Sequence, residues 1–189
     1  MEINIELLKE RLDGTFLPAR VLLRRAKYNV GYETTAEYND PKYYPFFYYL
    51  GMQISPARVL QIGTRGGLIA HAFLQTSKSV DQWNYITDSY NSFSQLNAEV
   101  FIKEFGLVRK LPEVGPHDEF DLVIITDPTE KLLDTLNSVW DHLRPKGLLV
   151  IDYITTDDDT KRCFSEFCRV KSREPVIVET RYGTGILER

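Results

Sequence analysis

Gly63, Gly66 and Gly67 interrupt the stretch VLQIGTRGGLIA, residues 59–70, where one short apolar run stops and another begins. Glycine adopts backbone conformations that a Cβ forbids and lets a ligand approach the main chain. Three of them between a strand and a helix serve either a tight βα turn or a nucleotide-type cradle. Asp88, in WNYITDSYNS, closes the next apolar run. An acid roughly 20 residues beyond such a loop is placed to accept hydrogen bonds from two ribose hydroxyls, and the same Asp-Ser pair also suits a helix cap or a turn. Loop and acid together suggest a nucleoside.

Other reactive side chains carry weaker signals. His71 falls inside the helix after the glycine loop, His117 in a loop and His142 just before an RPKG turn, all read as surface positions. Cys163 and Cys168, the two cysteines, stand five apart on an expected helix and point to different faces, which suggests neither a disulfide framework nor a zinc cluster. The run TTDDDTKR is either an acidic binding loop or the start of a helix capped by Thr156 or Asp157.

The elements that must position these residues alternate from residue 57 onward. Strands are expected near 58–62, 82–87, 107–111, 121–126, 147–152, 175–180 and 184–188, and helices near 66–77, 93–105, 129–142 and 157–170. Such alternation means right-handed βαβ crossovers and a largely parallel sheet with helices on both faces. The apolar runs LVII and LLVI suit central strands covered on both sides. Only RYGT separates the last two strands, too short for a crossover, so they form an antiparallel hairpin at the sheet edge.

Residues 1–50 differ in character. INIELLKERL has helical spacing at Ile5, Leu8 and Leu12, and Tyr38, Tyr43, Tyr44, Phe46, Phe47, Tyr48 and Tyr49 fall within twelve positions. This segment is expected to be helical and packed on the core formed by residues 51–189, the other uses of such an aromatic stripe being a substrate wall or an oligomer interface. With 189 residues and 43% hydrophobic content the chain buries one sizeable core. A net charge of −4 gives no electrostatic reason to expect nucleic acid as a partner. The start, MEINIELLKERLDG, has acids where a signal peptide has a basic flank, and no apolar run approaches the roughly 20 residues of a membrane span. A soluble, cytoplasmic protein is expected.

At this point ARVLQIGTRGG, YITDSYNS, EFDLVIITDP, LRPKGLLVIDY and TRYGTGILER stand in the order of the class I S-adenosylmethionine-dependent methyltransferases, and the chain resembles their small-molecule O-methyltransferase branch over about residues 45–189. The resemblance implies an α/β, Rossmann-like sheet of seven strands in the order 3-2-1-4-5-7-6, the seventh antiparallel. It also implies S-adenosylmethionine as cofactor. Gly63, Thr64, Arg65 and Gly67 fall on the loop that wraps the methionine moiety and sugar, and Asp88 on the ribose-binding acid. Gln61 stands where the family usually has Glu or Asp; it keeps an acceptor oxygen but not the charge that pairs with an ammonium. Arg65 replaces a frequent glycine, and RKLPEVG after the third strand has no clear match to the usual adenine-contacting acid, Glu113 being the one residue there open to that role.

Methyl transfer to a hydroxyl needs the acceptor deprotonated by a general base or by a divalent cation. The metal-dependent members carry acids at the ends of the fourth and fifth strands, and Asp127 and Asp152 occupy those places. Asp127 is thus the expected catalytic residue, and Asp127 with Asp152 the expected magnesium ligands; the other roles open to these acids are capping helices and binding cofactor or water. Tyr153 and Thr129 depart from the family's further ligands. The resemblance therefore implies a methyltransferase acting on a small-molecule or sugar hydroxyl. The departures Gln61, Arg65, Thr129 and Tyr153 support an alternative, a catalytically degenerate module in a virion or other large complex that makes contact through its aromatic segment.

Overall fold

The computed structural model describes residues 4–7, 10, 40, 42–63, 68–74, 79–83, 108–111, 115–126, 128 and 131–189. Its strands are β1 (Arg58–Ile62), β2 (Ser79–Trp83), β3 (Val108–Leu111), β4 (Phe120–Ile125), β5 (Leu143–Ile151), β6 (Val176–Val178) and β7 (Thr184–Glu188). Its helices are α1 (Tyr44–Ile54), α2 (Leu68–Leu74), α3 (Leu132–Trp140) and α4 (Asp158–Lys171). The strands join in one sheet in the order β3-β2-β1-β4-β5-β7-β6. Pairing is parallel from β3 through β5 and antiparallel between β5 and β7 and between β7 and β6. The closing hairpin read from the short RYGT connection is therefore present, with residues 179–183 joining its two strands.

Strand alternation splits the core into two layers. Val59, Leu122, Ile124, Leu148, Val150 and Ile186 face α1 and α2. Leu60, Ile62, Val123, Ile125, Leu149, Ile151 and Leu187 face α3 and α4. Phe120 shares the second layer although its parity assigns it to the first, because the β4–β5 register shifts between Phe120 and Leu122.

Of the aromatic segment, Tyr44–Ile54 is a core helix, while residues 11–39, Tyr38 among them, lie outside the described residues. Pro45 suits the first turn of α1, where its missing N–H leaves no hydrogen bond unmade, and Ser55 ends the helix in a left-handed conformation ahead of Pro56. Tyr43, Tyr44, Phe46, Phe47, Leu50 and Ile54 bury one face. Phe47 meets Tyr43, Phe46 and Phe73 edge-on at 5.3, 4.9 and 6.3 Å, and each buried aromatic contributes about 1.5–3 kcal/mol. The boundary expected at residue 50 lies within this helix.

Three expectations shift. Strand β5 begins at Leu143 rather than 147, because Leu143 pairs with Phe120 across the shift and Lys146 N–H bonds the Arg189 carbonyl at 3.0 Å. Strand β2 begins at Ser79 rather than 82, and β6 spans three residues. The helix expected at 93–105 lies outside the described residues. Among the described residues no helix is long and apolar enough to cross a membrane.

Candidate functional site

Strands β1, β4 and β5 finish level with one another, so the residues after them form a continuous rim. Ile62 pairs with Ile125, and Ile125 with Ile151. Beyond that row, Thr126 N–H and its hydroxyl both donate to the Ile62 carbonyl, at 2.9 and 3.2 Å, and Asp152 N–H donates to the Ile125 carbonyl at 3.0 Å. Gly63, Thr126 and Asp152 thus sit side by side at the carboxyl edge of the sheet. Chain order places β2 and β3 to one side of β1 and β4 and β5 to the other, which makes this edge the topological switch point where open α/β sheets bind ligands.

Asp121 fixes the opposite end of the same strands. It accepts from the backbone N–H groups of Ala57 and Arg58 at 2.7 and 2.8 Å and from Arg144 at 2.9 Å, tying the start of β1 to β4. His142 belongs to that end too, its Nδ1 bonded to the Asp118 carbonyl at 2.9 Å, while His117 is exposed.

At the rim, Gln61 is fully buried and donates from Nε2 to the Gly63 carbonyl at 2.8 Å. Gly63 has φ +87°, a backbone state that side chains with a Cβ rarely adopt. The first glycine of the loop is therefore required by geometry, and its conformation fits a main chain that turns out of β1 to admit a ligand. Thr64, Arg65, Gly66, Gly67, Asp88, Glu113, Asp127 and Thr129 lie outside the described residues.

Asp152 is buried and already engaged. Tyr43 donates its hydroxyl to Oδ2 at 2.7 Å; Tyr153 N–H and the Thr184 hydroxyl reach Oδ1 at 3.0 and 3.4 Å. Tyr153 has φ +69° and stacks on Tyr182 with ring centroids 4.4 Å apart. Arg181 lies 5.4 Å over the Tyr182 ring and pairs with Asp40 at 3.3 Å. Its pKa is raised, first by hydrogen bonding to Tyr182 and then by Asp40, against the opposing effect of burial. These contacts gather the chain before α1, the end of β5 and the β6–β7 hairpin at one place. Sequence reasoning picked out Asp152 and Tyr153 but not Tyr43, Tyr182 or Thr184. Nothing in the local pattern marks Tyr43 among its aromatic neighbours.

The magnesium expectation finds no support in this arrangement. Among the described residues no group of three His, Cys, Asp or Glu side chains could hold a metal ion, and both Asp152 oxygens accept hydrogen bonds from protein donors. Beside the rim a shallow groove runs between the starts of α3 and α4, lined by Pro128, Leu132, Asp157, Thr160 and Cys163. Of the acids there, Asp157 caps α4 and Asp159 pairs with Arg162 at 2.8 Å. Cys163 is half-buried; Cys168 is buried in the core, which pushes its thiol up to about 11.

No family model and no curated protein matches the sequence. Solved structures do match. A methyltransferase from Geobacter sulfurreducens superposes with a TM-score of 0.64 at 16% identity, over 100% of this chain and 96% of the other. The O-methyltransferase from Bacillus cereus in complex with SAH gives 0.63 at 13% identity, over 97% and 96%. The O-methyltransferase TomG from Streptomyces achromogenes, in complex with SAM, gives 0.57 at 15% identity, over 75% and 77%. At these identities the likeness is one of fold, and the chain has the α/β, Rossmann-like fold of the class I S-adenosylmethionine-dependent methyltransferases.

Proposed function

We propose that this chain is an S-adenosylmethionine-dependent methyltransferase acting on a hydroxyl of a small molecule or sugar. The observation that carries the reading is Gly63 at φ +87°, set directly after β1 at the switch point of the sheet. The full strand order with its closing antiparallel hairpin, and the fold shared with SAM- and SAH-bound O-methyltransferases, support it. A cytoplasmic setting, with a small-molecule acceptor rather than nucleic acid or membrane as partner, belongs to the same reading.

When bound, S-adenosylmethionine supplies a sulfonium methyl open to in-line displacement, so much of the catalysis comes from holding donor and acceptor in near-attack geometry. In this reading Gly63, Thr64, Arg65 and Gly67 form the donor cradle, and Asp88 accepts hydrogen bonds from the ribose. Gln61 holds the cradle through its bond to the Gly63 carbonyl. Asp127, next in sequence after Thr126, takes the proton from the acceptor hydroxyl as general base.

The degenerate, assembly-module alternative rests on the departures Gln61, Arg65, Thr129 and Tyr153, and the fold shared with O-methyltransferases does not favour it. The aromatic residues that also suggested it are largely spent on this chain's own core, with Tyr43, Tyr44, Phe46 and Phe47 at most 1% exposed. An oligomer contact through α1 would fall to Met52, which is exposed, and to the partly buried Tyr48 and Tyr49. Calorimetric titration of the purified protein with S-adenosylmethionine and S-adenosylhomocysteine tests the proposal. Saturable heat with a thermal shift is expected; neither at millimolar ligand would overturn it.

A further inference from the structure

The acid at the end of β5 lies under a lid of aromatic side chains. Asp152 has no exposed surface, and neither has Tyr43, whose hydroxyl bonds it. The Tyr43 ring meets Tyr182 edge-on at 5.4 Å, and Tyr182 stacks on Tyr153. Two backbone bonds run beside these contacts, from Ile154 N–H to the Gly183 carbonyl at 3.0 Å and from Thr155 N–H to the Tyr182 carbonyl at 3.1 Å. Three segments distant in sequence therefore converge on one carboxylate.

A magnesium ion needs a near-octahedral shell with oxygens at about 2.1 Å and keeps several waters. A carboxylate without accessible surface leaves no room for that shell. The next residue offers no help, because the neutral phenol of a tyrosine is a poor ligand for a hard cation that takes carboxylate, carbonyl and water oxygens. The left-handed backbone of Tyr153 is instead held in place by the Asp152 Oδ1 bond to its N–H and by Tyr182. We infer that Asp152 is a hydrogen-bond latch rather than a cation ligand: it fastens Tyr43, and with it the start of α1, and the β6–β7 hairpin to the end of β5.

Two measurements test the latch, and neither uses a methyl donor, so failure of the methyltransferase proposal would leave both readable. The first is calorimetric titration of the wild-type protein and Asp152→Asn with Mn2+. No saturable binding that depends on Asp152 is expected; millimolar or tighter binding lost in Asp152→Asn would overturn the inference. The second is a double-mutant cycle on Tyr43→Phe and Asp152→Asn, read by thermal unfolding. Tyr43→Phe alone is expected to lower the melting temperature by roughly 3 to 10 °C, and the double variant to fall well short of the summed losses. Should Asp152→Asn fail to fold, the same cycle runs on Tyr43→Phe and Thr184→Val, whose hydroxyls share the carboxylate. Strict additivity overturns the latch in either cycle.

Discussion

Gln61 donates from Nε2 to the carbonyl oxygen of Gly63 at 2.8 Å, so the end of β1 is tied by its own side chain to the glycine that follows. Gln61→Glu would install the acid that the methyltransferases usually carry here, but a carboxylate has no hydrogen to give that carbonyl. Leaving the carbonyl without its donor in a fully buried site costs about 1–3 kcal/mol. For a chain of this length each kcal/mol lowers the melting temperature by roughly 2–4 °C. Thermal unfolding should therefore show a clear loss, with no gain in S-adenosylhomocysteine affinity. A variant as stable as the wild type that binds more tightly would mean the missing charge matters more than the bond.

Gly185, in β7, leaves no space for a methyl group. A Cβ there would stand 2.5 Å from Phe164 Cε1 and 3.1 Å from Cδ1, and Phe164, on the buried face of α4, is 1% exposed. Gly185→Ala should destabilise by about 1–3 kcal/mol through overpacking. Adding Phe164→Leu should recover part of that loss, since the two changes compete for one volume. Urea unfolding of both single variants and the double checks this; independent, additive losses would show that the clash relaxes elsewhere.

What the sequence revealed and what it concealed divide along the range of the interactions. Strand β1 was legible because VLQI runs straight into a glycine, and the hairpin because RYGT leaves room for nothing else. The buried face of α1 was legible in the density of its rings. The extension of β5 back to Leu143 was hidden, since Arg144, Pro145 and Lys146 look like a turn and only the pairing with Phe120 and Arg189 makes them strand. At the site, Gln61, Gly63 and Asp152 were marked by standing at strand ends. Tyr43 was not, because its partner lies 109 positions away and no local pattern encodes a contact at that range.

Asp157 caps α4, its carboxylate accepting from the N–H of Thr160 at 3.1 Å and from the Thr160 hydroxyl. Asp157→Ala should cost about 0.5–2 kcal/mol, the usual range for a lost cap. The Thr160 hydroxyl bond holds the Asp157 pKa below its ordinary 3.8, with backbone bonds from Thr160 and Asp159 adding to it and desolvation opposing. A pKa depressed in the folded state means that the stabilisation is complete above the ordinary value and disappears as pH falls through the folded one. The stability gap between wild type and Asp157→Ala should thus be constant from neutral pH down to about 5 and close below 3.8. A gap that persists unchanged at pH 2 would assign the effect to something other than the ionised cap.

Asp88 separates a nucleoside site from a fold that merely resembles one. If the proposed donor binds, its two ribose hydroxyls donate to this carboxylate, and a hydrogen bond to a charged group contributes about 1.5–3 kcal/mol. Asp88→Ala should then weaken S-adenosylhomocysteine binding at least tenfold, the factor that corresponds to about 1.4 kcal/mol. A carboxylate used only as a turn or helix cap behaves in the opposite way, lowering the melting temperature on removal and leaving affinity almost untouched. Calorimetry and thermal unfolding on the one variant distinguish the two roles. Reduced stability with unchanged affinity would strike Asp88 from the site and leave the donor to be held by the Gly63 loop alone.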